Sequence, residues 1–313
     1  MFNHPLVSVV LIAYNQERYI REAVEGLFSQ TYSPLEIVLS DDGSPDQTFE
    51  IIQEMAAAYH GPHKLILNRN EKNLGIAMHF NKVMELAAGE IIALAAGDDI
   101  SLRDRIADSV RILCQHPDLT CVSLKLITFH GKPSKSIPLD PQPERIHFVD
   151  LGEFLESEGG QLFAPSRAFR RFAHDYFGPL SSCSPSEDTA NLFRCLLHGK
   201  GAESSVPGVR YRIHGNNTWS SANKLKTSVP NLLQELESAL RIAHYKGLID
   251  FETCCLLHKK VKRRMGKLSA VLELERSGFS FSAFVRYYLA SRHFSFRQKM
   301  GHIHRSIRTL QLR

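Results

Sequence analysis

A chain of 313 residues with 43% apolar and 23% charged residues can bury a full core, as one large domain or as one domain with an extension, and has the composition of a soluble globular protein. Its six cysteines include no C-x-x-C pair, which argues against a disulfide or zinc framework and for reduced thiols in a cytosolic chain. The net charge of +5 is uneven: from Lys259 to Arg313 there are 14 basic and 2 acidic residues, so this tail carries +12 and the rest of the chain −7. Such asymmetry points to an anionic partner for the tail: a membrane surface, a nucleic acid or an acidic protein.

The opening Met1-Phe2-Asn3-His4-Pro5 has no basic region ahead of an apolar one, and no apolar run is long enough to cross a bilayer. A cytoplasmic location is expected. Val7 to Ala13 is rich in β-branched residues and reads as a first buried strand ending at Tyr14-Asn15. Ile20, Ala23, Val24, Leu27 and Phe28 have helical spacing, predicting a helix over 17–30 that Ser33-Pro34 ends. Leu35 to Ser40 is a second strand running into the acidic turn Asp41-Asp42-Gly43-Ser44-Pro45-Asp46. Phe49, Ile52, Met55, Ala56 and Tyr59 mark a second helix, and Lys64 to Asn68 a third strand. Asn73-Leu74-Gly75 leads into a helix over 76–88. The next strand starts at Glu90 and ends in Gly97-Asp98-Asp99.

This β-α-β-α-β-α-β order predicts a Rossmann-like, mostly parallel sheet with helices on both faces, and ligands at the carboxyl ends of its strands. Three of those ends carry Tyr14-Asn15, Asp41-Asp42 and Asp98-Asp99, which should converge on one edge. Adjacent carboxylates repel and suit a hard divalent cation such as Mg²⁺ or Mn²⁺. The competing reading of Asp98-Asp99 is a solvated turn capping the helix that begins near Arg103. Neither G-x-G-x-x-G nor G-x-x-x-x-G-K-[ST] is present, so phosphate charge must be met another way, and a metal held by Asp99 would do it. Tyr14 and Asp42 could wall a base, the carboxylate accepting from a ring N–H.

In this order the motifs resemble those of family 2 glycosyltransferases of the GT-A fold, over about residues 5 to 220. The matching stretches are Val7 to Asn15, Ser29-Gln30-Thr31-Tyr32, Ser40 to Asp46, Asn73-Leu74-Gly75 with Asn81 and Ala88-Gly89-Glu90, and Gly97-Asp98-Asp99. The resemblance implies nucleotide contacts at Ala13, Tyr14, Asp41, Asp42, Gly75 and Asp98. It also implies a divalent metal at Asp99. The opening strand departs from the commoner Pro-Thr-Tyr-Asn by having Ile12-Ala13, which removes a hydroxyl near the nucleotide.

In the second half, a helix over 103–115, a strand from Leu119 to Phe129 and a four-proline loop from Pro133 to Pro143 precede a segment expected to end in a basic helix, Arg167 to Arg171. Glu187-Asp188 opens a further helix to His198. Acidic residues favour a helix's first turn by about 0.3–1 kcal/mol, so capping alone explains most such pairs. By resemblance the pair supplies the catalytic base, Asp188 first and Glu187 second. By the same resemblance Tyr211-Arg212-Ile213-His214 implies that His214 contacts the metal or diphosphate and Arg212 meets phosphate charge.

From Leu225 the pattern is helical, and aromatics from Phe279 to Phe296 interleave with Arg286, Arg292, Arg297 and Lys299. Such a segment suits an anionic membrane surface, peripherally on the inner face; the alternative is a helix packed on the catalytic domain with a solvated basic face. Nucleic acid is not expected, because no recognition module is visible.

Together these readings predict a catalytic domain over 1–222 and a basic helical extension over 223–313. The expected activity is a metal-assisted inverting transfer of a hexosyl-type sugar from a nucleotide-sugar donor, in the first place a UDP-sugar, to a glycan or lipid-linked acceptor of polysaccharide biosynthesis. The rivals are a non-catalytic binding module that keeps the fold and a sugar nucleotidyltransferase.

Overall fold

The strand Val7–Ala13 (β1) is buried along its length save for Ile12, because it has a parallel partner on each side. Those partners are Leu35–Asp41 (β2) and Ile91–Ala96 (β4), and Lys64–Arg69 (β3) extends the sheet beyond β2. Strands covered on both faces read as near-continuous apolar runs, which these are. Helices Ile20–Phe28 (α1), Thr48–Ala57 (α2) and Ile76–Leu86 (α3) make the crossovers. The computed structural model describes residues 4–131, 143–157, 162–214 and 228–277, together with Tyr287.

The register fixes where ligands can bind. Ala13 lies opposite Asp41, and Ile12 opposite Ala96. The exits of β1, β2 and β4 therefore share one edge of the sheet, and the acidic turns leave from it.

Beyond β4 the sheet becomes mixed. The strand order is β3-β2-β1-β4-β8-β6-β9-β5, with β7 on β9. Here β5 is Ile100–Ser101, β6 Leu119–Phe129, β7 Ile146–Val149, β8 Arg167–Arg170 and β9 Lys200–Arg212. The remaining helices of this region are α4 (Arg105–Gln115), α5 (Leu151–Glu156), α6 (Phe172–Asp175) and α7 (Glu187–His198). The long β9 pairs in parallel with β6, and antiparallel with β7 near its start and β5 near its end.

The basic helix expected over Arg167 to Arg171 is instead the strand β8, inserted antiparallel between β4 and β6. Ala168 and Phe169 sit in the core. The arginines that suggested a basic helix turn inward to main-chain carbonyls: Arg167 to Leu162 and Asp188, Arg170 to Leu119 and Leu113. Once those carbonyls fill the guanidinium fork, charged residues fit beside the core.

Residues 1–214 and 215–313 form two compact units. In the second, Ser228 caps a helix Val229–Tyr245 by accepting from the Asn231 N–H at 3.4 Å. A turn through Gly247 (φ +75°) leads to a helix Phe251–Ser277. The two helices pack together, burying Leu232, Leu236, Leu240 and Ala243 and, on the second helix, Val261, Met265 and Leu272. Of the aromatic and basic run from Phe279 to Lys299, only Tyr287 lies within the described residues, and it is buried. Among the described residues no helix is long and apolar enough to cross a membrane.

Candidate active site

After Ala96 the chain turns at once, the Asp99 N–H donating to the Ala96 carbonyl at 3.3 Å. Gly97 permits this closeness. A Cβ there would run into the Gln16 side chain and stand 3.0 Å from that of Ala13. Both carboxylates then face the end of β9 rather than helix α4, whose N-cap, Asp104, makes no side-chain capping bond. Asp98 Oδ2 lies 2.9 Å from His214 Nε2, and Asp99 Oδ1 accepts from the Arg212 N–H at 2.9 Å. Asp99 Oδ2 is buried with no hydrogen-bond partner.

Arg212 builds this corner. Its Nε donates to the Asp98 carbonyl at 3.0 Å, Nη1 to the Gly131 carbonyl at 2.7 Å and Nη2 to Glu22 Oε2 at 2.6 Å. The guanidinium also lies over the rings of Tyr19 and Phe129, 4.7 and 4.5 Å from their centroids. Tyr19 stands beside His214 as well, ring centroids 4.9 Å apart. Arg212, expected to meet phosphate, is thus already occupied as a structural clamp. Beneath it Arg105 is fully buried, its Nη1 donating to Ser101 Oγ at 2.8 Å and its Nη2 to the Leu94 carbonyl. Burial lowers the Arg105 pKa to about 10, and the Asp99 charge opposes this.

Burial, and next the charge of Asp98, push the Asp99 carboxyl up to about 8, against the Arg212 N–H and the charges of Arg105 and Arg212. A carboxylate held this way, with one buried oxygen lacking a donor and a second carboxylate and an imidazole alongside, fits a divalent cation. Among the described residues no three His, Cys, Asp or Glu side chains gather closely enough to hold a metal by themselves. Two or three protein ligands completed by phosphate oxygens and water is the arrangement Mg²⁺ favours.

The neighbouring strand ends divide the expected nucleotide residues. Tyr14 is 45% exposed at the edge. Asp42 Oδ1 accepts from Asn70 Nδ2 at 2.8 Å and from the Leu74 N–H at 2.9 Å, and Oδ2 from the Gly75 N–H at 3.1 Å. Gly75 has φ +80°, which explains the glycine. Ala13 and Asp41 face inward. Ala13 is buried, and its carbonyl accepts the Asp42 N–H at 2.9 Å. Asp41 is fully buried and bonds the N–H and hydroxyl of Ser44. Both shape the turn that presents Asp42. Behind Asp42 runs a buried polar chain absent from the sequence reading, from Asn70 to Asn68, Ser40 and His79.

Glu187 and Asp188 occupy the first turn of α7, capped by Ser186 Oγ, which accepts the Thr189 N–H at 3.2 Å. Burial and the adjacent Asp188 charge hold the Glu187 carboxyl well above its usual range. Asp188 Oδ1 is buried without a hydrogen-bond partner. Burial pushes the Tyr211 phenol up to about 12, helped by the charges of Asp99, Asp98 and Asp188. Tyr19, Arg105 and Tyr211 carried no assigned role in the sequence; only the Tyr211-Arg212-Ile213-His214 motif hinted at one of them.

The family model for glycosyl transferase family 2 matches residues 8–176. The chain belongs to that family. It is 34% identical to the putative glycosyltransferase EpsE of Bacillus subtilis over 146 residues, 46% of this chain and 52% of EpsE. It is 40% identical to an uncharacterised protein of Mycobacterium tuberculosis over 116 residues, 36% of this chain and 33% of that protein. The chain thus spans a third to a half of the length of these relatives. Among solved structures, S. aureus TarS 1-349 in complex with UDP-GlcNAc superposes with a TM-score of 0.65 at 18% identity, covering 91% of this chain and 79% of that 1-349 chain. The mannosyltransferase PcManGT from Pyrobaculum calidifontis, in complex with GDP-Man and Mn²⁺, gives 0.59 at 17% identity, covering 99% and 86%. At such identities the likeness is one of fold, and the fold is GT-A.

Proposed function

We propose that this glycosyltransferase moves a hexosyl-type sugar with inversion from a nucleoside-diphosphate donor, in the first place a UDP-sugar, to a glycan or lipid-linked acceptor. One observation carries the reading. Among the described residues, Asp99 and Asp188 are the two carboxylates with a buried oxygen that has no hydrogen-bond partner. Such oxygens are rare in folded proteins and ask for an explanation. A metal-bound diphosphate at the first and an acceptor hydroxyl at the second provide one.

Asp99 and His214, with Asp98 alongside, would hold the cation, Mn²⁺ or Mg²⁺. When bound, it stabilises the negative charge of the departing diphosphate. Tyr14 stacks on the base and Asp42 meets its edge, with Gly75 keeping backbone close. Asp188 takes the proton of the acceptor hydroxyl as that oxygen attacks the anomeric carbon, because a sugar hydroxyl is a poor nucleophile until its proton is removed. Glu187, protonated, hydrogen-bonds to Asp188 and leaves the charge there. Attack from the face opposite the leaving nucleotide inverts the anomeric centre. Family membership supports this reading over a nucleotidyltransferase.

The partner proposed for the C-terminal unit is an anionic membrane surface on the cytoplasmic side. Lys259, Lys262 and Arg263 are exposed on the helix Phe251–Ser277, which has no acidic residue between Glu252 and Glu273. At the turn before it Tyr245 is 91% and Phe251 70% exposed. Rings that reach the headgroup level beside cations suit an interfacial helix.

The test is release of nucleoside diphosphate from a panel of UDP-, GDP-, CDP- and dTDP-sugars, with Mn²⁺ or with chelator. Metal-dependent release from one class, lost in Asp188→Asn, supports the transferase. Equal release by the variant contradicts the assigned base.

A further inference from the structure

Arg167, the first residue of β8, is 2% exposed. Its Nε donates to the Leu162 carbonyl at 3.0 Å, Nη2 donates to the same oxygen, and Nη1 donates to the Asp188 carbonyl at 2.8 Å. Carbonyls satisfy its N–H groups but leave a whole positive charge in the interior, which is costly unless a counter-charge is near. Among the described residues no carboxylate lies within ion-pair distance of it. The acid its field does reach is Glu187, which it pulls down against burial and the charge of Asp188.

The two carbonyls it joins are themselves unusual. Leu162 has φ +55°, a left-handed conformation uncommon outside glycine. Its N–H is also held, donating to Glu203 Oε1 at 2.6 Å. The next residue, Phe163, is exposed. Asp188 is the residue with the orphaned carboxylate oxygen. One guanidinium therefore ties a constrained surface turn to the first turn of α7.

We propose that Arg167 is a positioning residue for the base, fixing the first turn of α7 through the Asp188 carbonyl and supplying a buried positive charge beside Glu187 and Asp188 that favours their ionised form. This rests on Asp188 being the base. Two adjacent carboxylates repel each other, so the second ionisation of such a pair is opposed by the first. A cation behind them lowers the cost of the one charge they carry. Arg167 reaches the first turn of α7 from β8 through the Asp188 carbonyl, and the Tyr211 phenol of β9 lies within the field of the Asp188 charge. The thiols of Cys121 and Cys195 lie within reach of Arg167's charge.

The test uses the full chain and two substitutions. Arg167→Gln keeps a hydrogen-bond donor but removes the charge, and Arg167→Lys keeps the charge but loses the two-armed fork. The carboxyl carbons of Glu187 and Asp188 are titrated by ¹³C NMR, assigned with Glu187→Gln and Asp188→Asn. The first ionisation of the pair should move to higher pH in Arg167→Gln and stay near the wild-type midpoint in Arg167→Lys. UDP release from UDP-GlcNAc with Mn²⁺ is followed in parallel. Arg167→Gln should lose about tenfold or more in kcat. Its donor KM should stay within about twofold, because only proton transfer is affected. The acidic limb of its pH–rate profile should shift upward. A midpoint in Arg167→Gln equal to wild type overturns the proposal, whatever the melting temperature does. If the midpoint moves but no chain, wild type included, releases nucleoside diphosphate from any UDP-, GDP-, CDP- or dTDP-sugar, the electrostatic coupling stands and the transferase reading is what fails.

Discussion

The Asp98 carboxylate reaches the His214 ring, 116 residues further along the chain, at 2.9 Å from Nε2. This contact joins the end of the central strand β4 to the end of β9, and it orients the imidazole at the acidic turn. If Asp99 and His214 hold the cation, His214→Ala should weaken Mn²⁺ binding by roughly 10–100-fold while Asp99 still contributes. Electron paramagnetic resonance of free Mn²⁺ measures this; an unchanged affinity would remove His214 from the site.

Asp188→Asn should preserve volume and the Arg167 bond, which goes to the main chain. Nucleotide affinity should therefore stay at the wild-type value while kcat falls by about 10²–10⁴. Steady-state kinetics beside direct binding separates the two effects. A fall in binding with kcat retained would place Asp188 in recognition instead of proton transfer.

Arg212 should prove structural. Arg212→Ala breaks its bonds to Glu22, Gly131 and Asp98 and removes a buried guanidinium from between two rings. The loss should be on the order of 3 kcal/mol in urea unfolding, and Arg212→Lys should recover little of it, because an ammonium cannot span the fork. A variant of wild-type stability with weakened diphosphate binding would restore the phosphate role expected from sequence.

His174 gives the protein an acid limit. Burial, with the Arg194 charge next, lowers its pKa from 6.5 to about 4, and its Nδ1 is buried without a hydrogen-bond partner. The unfolded chain binds the proton first, so this contribution is present above pH 6.5 and is lost as pH falls towards 4, on the order of 3 kcal/mol in full. His174→Gln should flatten the stability curve between pH 6.5 and 4, read by denaturant midpoints. A parallel curve would mean another group sets the limit.

If the exposed rings and cations of the C-terminal unit meet lipid, the chain should sediment with vesicles containing phosphatidylglycerol and not with phosphatidylcholine alone. Lys259→Glu with Arg263→Glu should reduce this binding, high salt should weaken it, and Tyr245→Ser with Phe251→Ser should reduce it at low salt. Equal binding to both vesicle types would contradict the assignment.

The parallel half of the sheet was legible because buried strands are continuous apolar runs, and β1 was predicted to the residue, Val7–Ala13. The acidic turns were legible because they end those runs. What each carboxylate holds was not: Asp41 and Asp42 look alike in sequence and both are buried, yet Asp41 closes its own turn on Ser44 while Asp42 accepts from Asn70 and from the N–H groups of Leu74 and Gly75. Arg167 misled and Arg105 went unnoticed for a common reason. Arginine reads as surface, yet here carbonyls from distant segments, Leu162, Asp188 and Leu94, satisfy it inside. No local pattern announces such partners. The short strands β5 and β7, of two and four residues, exist only through pairing with β9.

The central claim is that Asp99 serves a metal-dependent nucleotide site, and calorimetry tests it most directly. UDP, GDP, CDP and dTDP are titrated into the chain with and without Mn²⁺, and the same is done with Asp99→Asn, whose side-chain oxygen can still accept the Arg212 N–H. The account predicts tight binding of one nucleotide, dependent on Mn²⁺ and lost in Asp99→Asn while the melting temperature is retained. Binding of no nucleotide by the folded wild-type chain with Mn²⁺ present, or binding that Asp99→Asn leaves intact, would contradict it.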